Sequence, residues 1–323
     1  APSYQGTPLS NWAQSDRQGR ALGLLHWFDV VVNCHGATVS SLMGQLRRMG
    51  IKSVVSLHLS DLTPLGRPVG NTYVALAHEH AYDMFITCSH RLAHWCHGMG
   101  VPQQKIMPVP NAGGYEISHR VAEGMFRDRL RRQRAGQRLR ALFLGRLDRQ
   151  KGLDRLGQII RACTETAIPV EWRLVGKAIL QDGHSLPVEI QTLVEPPVHS
   201  AHELNDIYQW ADVLVLPSYY EGLPLTVVEA MRLGVVVVAT DVGAVAEVVV
   251  DGETGVLLRS ENVVDECVQA LERLATKPSL LGQYSLESFN RMKDRDWSNA
   301  VRDFAVWLES APSRLQVPPA SCS

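Results

Sequence analysis

Short runs of Val, Ile and Leu recur along the chain, separated by stretches with helical spacing, and this alternation limits the fold more than any other feature. The runs are Val30–Val32, Val54–Leu57, Met84–Thr87, Ala141–Leu144, Trp172–Val175, Val213–Leu216 and Val235–Ala239. Continuous apolar runs without polar alternation suit strands covered on both faces, as in parallel sheets. Between them, Leu42, Leu46 and Met49 follow helical spacing, as do Val264, Cys267, Val268, Leu271 and Leu274. Strand, helix, strand, repeated, predicts an α/β doubly wound architecture. At 323 residues the chain has room for two such domains.

The break between them is expected at residues 118–140, which hold Arg120, Arg127, Arg129, Arg131, Arg132, Arg134, Arg138 and Arg140 against Glu123 and Asp128. Read plainly, these arginines form a solvated face of a connection; a second reading is peripheral contact of the Arg120–Arg140 segment with anionic lipid headgroups. The expected division is 1–117 for a first domain, 118–140 for the connection, 141–295 for a second domain, and 296–323 for a terminal helix and tail. That helix is expected near Trp297–Leu308, with Trp297, Val301, Phe304, Ala305 and Leu308 on one face.

Charge removes one class of partner. Lys plus Arg is 32 and Asp plus Glu is 33, a net charge of −1, so nucleic acid is not expected as a partner. No apolar run reaches the roughly 18 residues of a membrane span. The six cysteines include no C-x-x-C pair and read as reduced thiols of a cytoplasmic-type compartment.

Two segments carry the chemistry. In ALFLGRLDRQKGLDRL, from Ala141 to Leu156, a strand ends at Gly145, Arg146 and Lys151 flank a turn, and Gly152 opens a helix. Free amides and the positive dipole at a helix start suit a phosphate, and two flanking cations would clamp a diphosphate without a metal. A surface turn with two solvated cations is the plain alternative. In VLVLPSYYEGLPLTVVEAMRLG, from Val213 to Gly234, Glu221 stands beyond a strand's carboxyl end, where open α/β sheets bind ligands. Gly222 permits close backbone approach, and the amides of Leu225 and Thr226 lie at a second helix start. Carboxylates accept hydrogen bonds from hydroxyl pairs, so Glu221 and Glu229 are candidates for gripping two polyol units of one ligand. Thr226-x-x-Glu229 also reads as a capping box with no further role.

Taken together, GRLDRQKG, RLVGK, ADVLVLPSYYEGLPLTVVEAM and VVATDVGAVAEVVVDGETGVLL resemble the retaining nucleotide-sugar glycosyltransferases of family 4 (group 1). The resemblance spans about Phe28 to Leu308. It implies the GT-B fold, two Rossmann-like domains facing across a cleft. It implies a nucleotide-sugar donor, a glycan or lipid-linked acceptor in polysaccharide biosynthesis, retention of configuration, and no cofactor beyond the donor itself. Arg146 and Lys151 would bind the donor diphosphate, Glu221 the sugar hydroxyls and Glu229 the ribose. His58, at a strand end after VVSLHL, matches the family's histidine beside sugar and acceptor, and His35 occupies a similar strand end one unit earlier. PNAGGY, Pro110–Tyr115, looks like the family's turn between domains, with Ala112 where Gly is usual. Residues 1–27 show no strand, glycine-rich turn and helix of the family's opening, so the N-terminal domain is expected to be incomplete. The expected location is cytoplasmic, with peripheral contact at the inner membrane face as the second reading of the Arg120–Arg140 segment.

Three other readings remain. A metal-dependent transferase would need a D-x-D element, and the match Asp294-Arg295-Asp296 lies in a polar run, so metal independence is expected. Cys88, His90, His94, Cys96 and His97 invite a zinc site but lack a second ligand set. A nicotinamide enzyme would need G-x-G-x-x-G, which is absent from the sequence. The remaining alternative is a non-catalytic nucleotide-sugar binder or an inactive fragment.

Overall fold

A computed structural model describes residues 30–34, 46–59, 71–113, 124, 127–129, 131–132, 135–179, 185–198 and 200–310. The chain divides into two compact units: Ala1–Pro110 with Val301–Ser323, and Asn111–Ala300. Both are α/β units with all-parallel sheets, as the alternation of apolar runs requires.

The first unit carries a four-stranded sheet in the order β1 (Val30–Cys34), β2 (Lys52–Leu57), β3 (Met84–Thr87), β4 (Ile106–Pro108). Each strand pairs with its successor, so the sheet is wound in one direction. Helices α1 (Asn71–Ala77) and α2 (His90–Gly98) belong to the same unit, and Ser89 caps α2 by accepting from the Leu92 amide at 3.1 Å.

The second unit holds β5 (Leu139–Leu144), α3 (Leu153–Glu165), β6 (Val170–Val175), α4 (Val188–Gln191), β7 (Val194–Glu195), α5 (Ala201–Trp210), β8 (Val213–Leu216), α6 (Leu225–Arg232), β9 (Val236–Thr240), β10 (Gly255–Leu258), α7 (Val263–Thr276) and α8 (Pro278–Met292). Its sheet order is β10-β9-β8-β5-β6-β7. Every residue of β8 and β9 is buried, which is why these segments read as unbroken aliphatic runs. On α3, Leu153, Leu156, Ile159, Ile160 and Cys163 form the buried stripe, and on α7 Val263, Cys267, Ala270, Leu271 and Leu274. Removal of each such aliphatic side chain from water contributes about 1.5–3 kcal/mol, and these two helices pack against each other.

The terminal segment differs from the single helix expected. It divides into α9 (Trp297–Ala300) and α10 (Arg302–Ser310), and Ala305 is exposed while Trp307 is half-buried. The Lys52 ammonium donates to the Leu308 carbonyl at 2.6 Å and lies 4.8 Å from the Trp307 ring centroid. It thereby satisfies a carbonyl near the end of α10 and holds that helix to the first unit.

The basic stretch is also corrected in part. Arg127, Arg131 and Arg138 are exposed, but Arg129 is buried. Its guanidinium donates to the carbonyls of Tyr208 (3.0 Å), Ala211 (2.9 Å) and Leu233 (2.7 Å), so one side chain closes the C-terminal ends of α5 and α6. Burial pulls its pKa down to about 10, with Asp212 acting in the opposite sense. Arg132 pairs with the fully buried Asp212 at 2.7 Å. These two cations face the protein and are not available to a lipid headgroup. Arg120 and Arg134 lie outside the described residues. Among the described residues no helix is long and apolar enough to cross a membrane.

Candidate functional site

The second sheet changes winding direction between β5 and β8. From β5 the chain proceeds outward through β6 to β7, and from β8 it proceeds the other way through β9 to β10. The loops leaving two neighbouring strands therefore diverge, and they leave a crevice at the carboxyl edge. Arg146 and Lys151 follow β5, and Glu221 follows β8, so the two segments singled out in the sequence border the same switch point.

The loop after β5 is shaped by its own side chains. Asp148 accepts from the Lys151 amide at 3.0 Å, and Gly152 adopts φ +74° as the residue before α3. A side chain at Gly152 would collide with the Pro217 carbonyl, so the glycine lets the start of α3 press against the loop after β8. The Lys151 ammonium lies 2.7 Å from Glu221 Oε1, and the Ser218 hydroxyl donates to the same oxygen at 2.7 Å. The side chains are 15% and 6% exposed. Lys151 is thus no solvated cation of a surface turn but one half of a nearly buried ion pair. Arg146 remains 50% exposed, ties to Gln150 Oε1 at 2.7 Å and lies 3.3 Å from Asp148. Gln150 in turn donates to the Tyr220 carbonyl at 3.3 Å, which links the arginine to the Glu221 loop.

Three further contacts fix that loop. Asn111 donates to the Leu223 carbonyl at 2.6 Å, and the Ala244 amide donates to the Gly222 carbonyl at 2.8 Å. Gly243, at φ +58°, lies so close that a side chain would strike the Glu221 carbonyl. Helix α6 then starts at Leu225 with Pro224 before it and no side-chain cap. Leu225 is exposed and Thr226 half-buried at this start, where the first amides of a helix have no intrahelical acceptor.

Glu229 sits one turn into α6, where a capping box cannot form because the helix begins four residues earlier. Its carboxylate instead accepts from the Tyr208 hydroxyl of α5 at 2.8 Å. Burial raises its pKa, while the Tyr208 hydrogen bond and the Arg232 charge pull in the opposite direction. The structure thus brings Arg146, Lys151 and Glu221 together, and holds Glu229 on the adjoining helix with a partner of its own. Ser218, Gln150, Tyr208 and Gly243 were not singled out from sequence, and Asn111 only as part of the PNAGGY turn. Ser218 carried one local signal, a hydroxyl directly after a buried strand and a proline.

In the first unit, His58 follows the last residue of β2 and is exposed. Its Nε2 lies 3.2 Å from the Ser56 hydroxyl, and its carbonyl accepts from the Cys88 thiol at 3.1 Å. His35 lies outside the described residues. Cys96 is buried, and burial pushes its thiol up to about 12. Among the described residues no three His, Cys, Asp or Glu side chains are grouped as metal ligands. Asp296 accepts instead from the Asn299 amide at 2.8 Å.

Residues 138–277, within the second unit, match the family model described as glycosyl transferases group 1. Among curated proteins, the chain is 30% identical over 195 residues to the D-inositol 3-phosphate glycosyltransferase of Nocardiopsis dassonvillei, covering 56% of this chain and 45% of that protein. It is 28% identical over 212 residues to the putative teichuronic acid biosynthesis glycosyltransferase TuaC of Bacillus subtilis, covering 61% and 48%. The matched region thus spans less than half of either relative's length. Among solved structures, the Anabaena protein HepE in complex with UDP and glucose superposes with a TM-score of 0.71 at 18% identity, over 91% of this chain and 81% of that one. The sucrose-phosphate synthase of Thermosynechococcus elongatus gives 0.69 at 19%, over 96% and 81%. These likenesses, with two Rossmann-like parallel units, establish the GT-B type of α/β fold.

Proposed function

We propose that this chain is a retaining, metal-independent glycosyltransferase that moves a sugar from a nucleotide-diphosphate donor to a glycan or lipid-linked acceptor. The observation that carries the reading is the Lys151–Glu221 pair at the β5/β8 switch point: a cation suited to a phosphate touches a carboxylate suited to a hydroxyl. Breaking the sugar–phosphate bond leaves positive charge on the sugar and negative charge on the departing diphosphate. Lys151, the more exposed Arg146 and the uncapped amides at Leu225 and Thr226 supply positive charge for that leaving group. Glu221 takes donor-sugar hydroxyls, with Gly222 allowing the backbone close to them, and Glu229 takes the ribose hydroxyls. His58, from the first unit, is the proposed acceptor-side residue. The relatives support the reaction class, since they carry names of inositol-phosphate and teichuronic acid glycosyltransferases.

The test is a calorimetric screen of UDP- and GDP-sugars, followed by donor hydrolysis and transfer assays with and without chelator. Binding with turnover that survives chelation is the expected result. Binding without hydrolysis or transfer to any acceptor would make the protein a nucleotide-sugar binder. Loss of activity with chelator, restored by manganese, would remove metal independence.

A further inference from the structure

The chain passes between its two units at two places, Pro110 to Asn111 and Ala300 to Val301. Near these crossings, within the second unit, the two segments are tied together. The Arg295 guanidinium donates through Nε to the Asn111 carbonyl at 2.9 Å, and the Gly113 amide donates to the Arg295 carbonyl at 3.2 Å. Gly113 and Asp296 form a parallel bridge, and Gly113 lies against the Arg232 side chain with no room for a Cβ. Asn111 is therefore held from one side by its own main chain.

Its side chain reaches the other way, to the Leu223 carbonyl 112 positions along the chain. That carbonyl lies two residues after Glu221 and directly before Pro224, which has no N–H to contribute to the loop. The loop's main chain is also tied by Gln150 at the Tyr219 amide and the Tyr220 carbonyl, by Arg155 at the Pro217 and Ser218 carbonyls, and, beyond Glu221, by the Ala244 amide on the Gly222 carbonyl. Without the Asn111 amide, the buried Leu223 would keep a carbonyl lacking its donor, and the stretch between the Gly222 tie and Pro224 would lose its side-chain anchor.

We propose that Asn111 is a positioning residue for Glu221: the segment at the chain crossing fixes the sugar-binding loop through the Leu223 carbonyl. The loop-anchoring part stands on geometry alone, and its consequence for ligand rests on the function proposed above. Two arms separate them.

In the first arm, hydrogen exchange is followed on the ligand-free full chain. Asn111→Ala should speed exchange of peptides covering Ser218–Thr226 about tenfold, the worth of one net hydrogen bond. Asn111→Asp should do so at least as strongly, because an oxygen would then face the carbonyl. Amides of β5 and α7 should not change. Arg295→Ala should give a smaller effect on the same peptides, with no addition in the double variant. Unchanged exchange in Ser218–Thr226, or an increase spread over the whole second unit, overturns the proposal.

In the second arm, UDP and UDP-glucose are titrated into wild type and Asn111→Ala. Affinity for UDP-glucose should fall about tenfold relative to UDP, because the loop holds the sugar while Lys151 and Arg146 hold the diphosphate. An equal loss for both ligands overturns the positioning role. If wild type binds neither, the function reading fails for this donor and the exchange arm alone decides the anchoring.

Discussion

The nearly buried Lys151–Glu221 pair permits a quantitative test. At 2.7 Å and an effective dielectric of about 20, the charges attract by roughly 6 kcal/mol. Taking both ions out of water costs several kcal/mol each, so the net worth of the intact pair is near zero. Removing one partner is different, because the remaining charge keeps its desolvation cost and loses its attraction. Lys151→Met strands the carboxylate, whose side chain is 6% exposed, with only Ser218 as a donor, and should cost about 3–5 kcal/mol. Glu221→Gln strands an ammonium that is 15% exposed and can bend toward water on its long stem, so its loss should be smaller, about 1–3 kcal/mol. The double variant should lose less than Lys151→Met alone, with a coupling of at least about 2 kcal/mol. Because the chain has two units, a single denaturation midpoint would mix their transitions, so native-state hydrogen exchange of β5 and β8 amides is the appropriate assay. Additive losses, or a larger loss for Glu221→Gln than for Lys151→Met, would refute this account of the pair.

Further predictions follow from other contacts. Glu229 has a raised folded-state pKa, so the folded state binds its proton more tightly than the unfolded state, and its contribution to stability is present at low pH and lost as pH rises through the folded value. Glu229→Gln should therefore gain stability over wild type with increasing pH above the ordinary carboxylate range; a pH-independent difference in native-state exchange of α5 and α6 amides, after correction for the intrinsic rate, would contradict this. Arg129→Met leaves three buried carbonyls without their donor and should destabilise the second unit by at least about 3 kcal/mol, with Arg129→Lys recovering only part, as read from exchange in α5 and α6. Gly152→Ala introduces a Cβ against the Pro217 carbonyl at a left-handed residue and should lower thermal stability by about 1–3 kcal/mol, while Ala at Gly136, which meets nothing nearby, should cost less.

Much of the architecture follows from local sequence. All seven apolar runs are strands, and those of β8 and β9 are buried throughout, while Val32 of β1 is exposed. Of the strands not foreseen, β4 and β7 have three and two residues, too few to show a period, while β10 opens on Gly255 and offers only the three apolar residues Val256–Leu258. The positions of Arg146, Lys151 and Glu221 just beyond strand ends were likewise legible, because strand end and loop start are local events.

The environments of those residues were not. Whether Lys151 meets water or Glu221 depends on a contact across 70 positions, made possible by β5 and β8 lying side by side in the sheet. Arg129 is one of eight similar arginines in its stretch, and only the packing of α5 against α6 turns it inward onto three carbonyls. Glu229 fitted a capping box by spacing, yet the helix start is set by Pro224 and the carboxylate goes to Tyr208 on another helix. Sequence by itself determined where strands, helices and reactive side chains fall along the chain, because backbone preference and hydrophobic period act over a few residues. Tertiary structure alone decided which charges pair and which are buried, because those depend on neighbours that folding brings from tens of residues away.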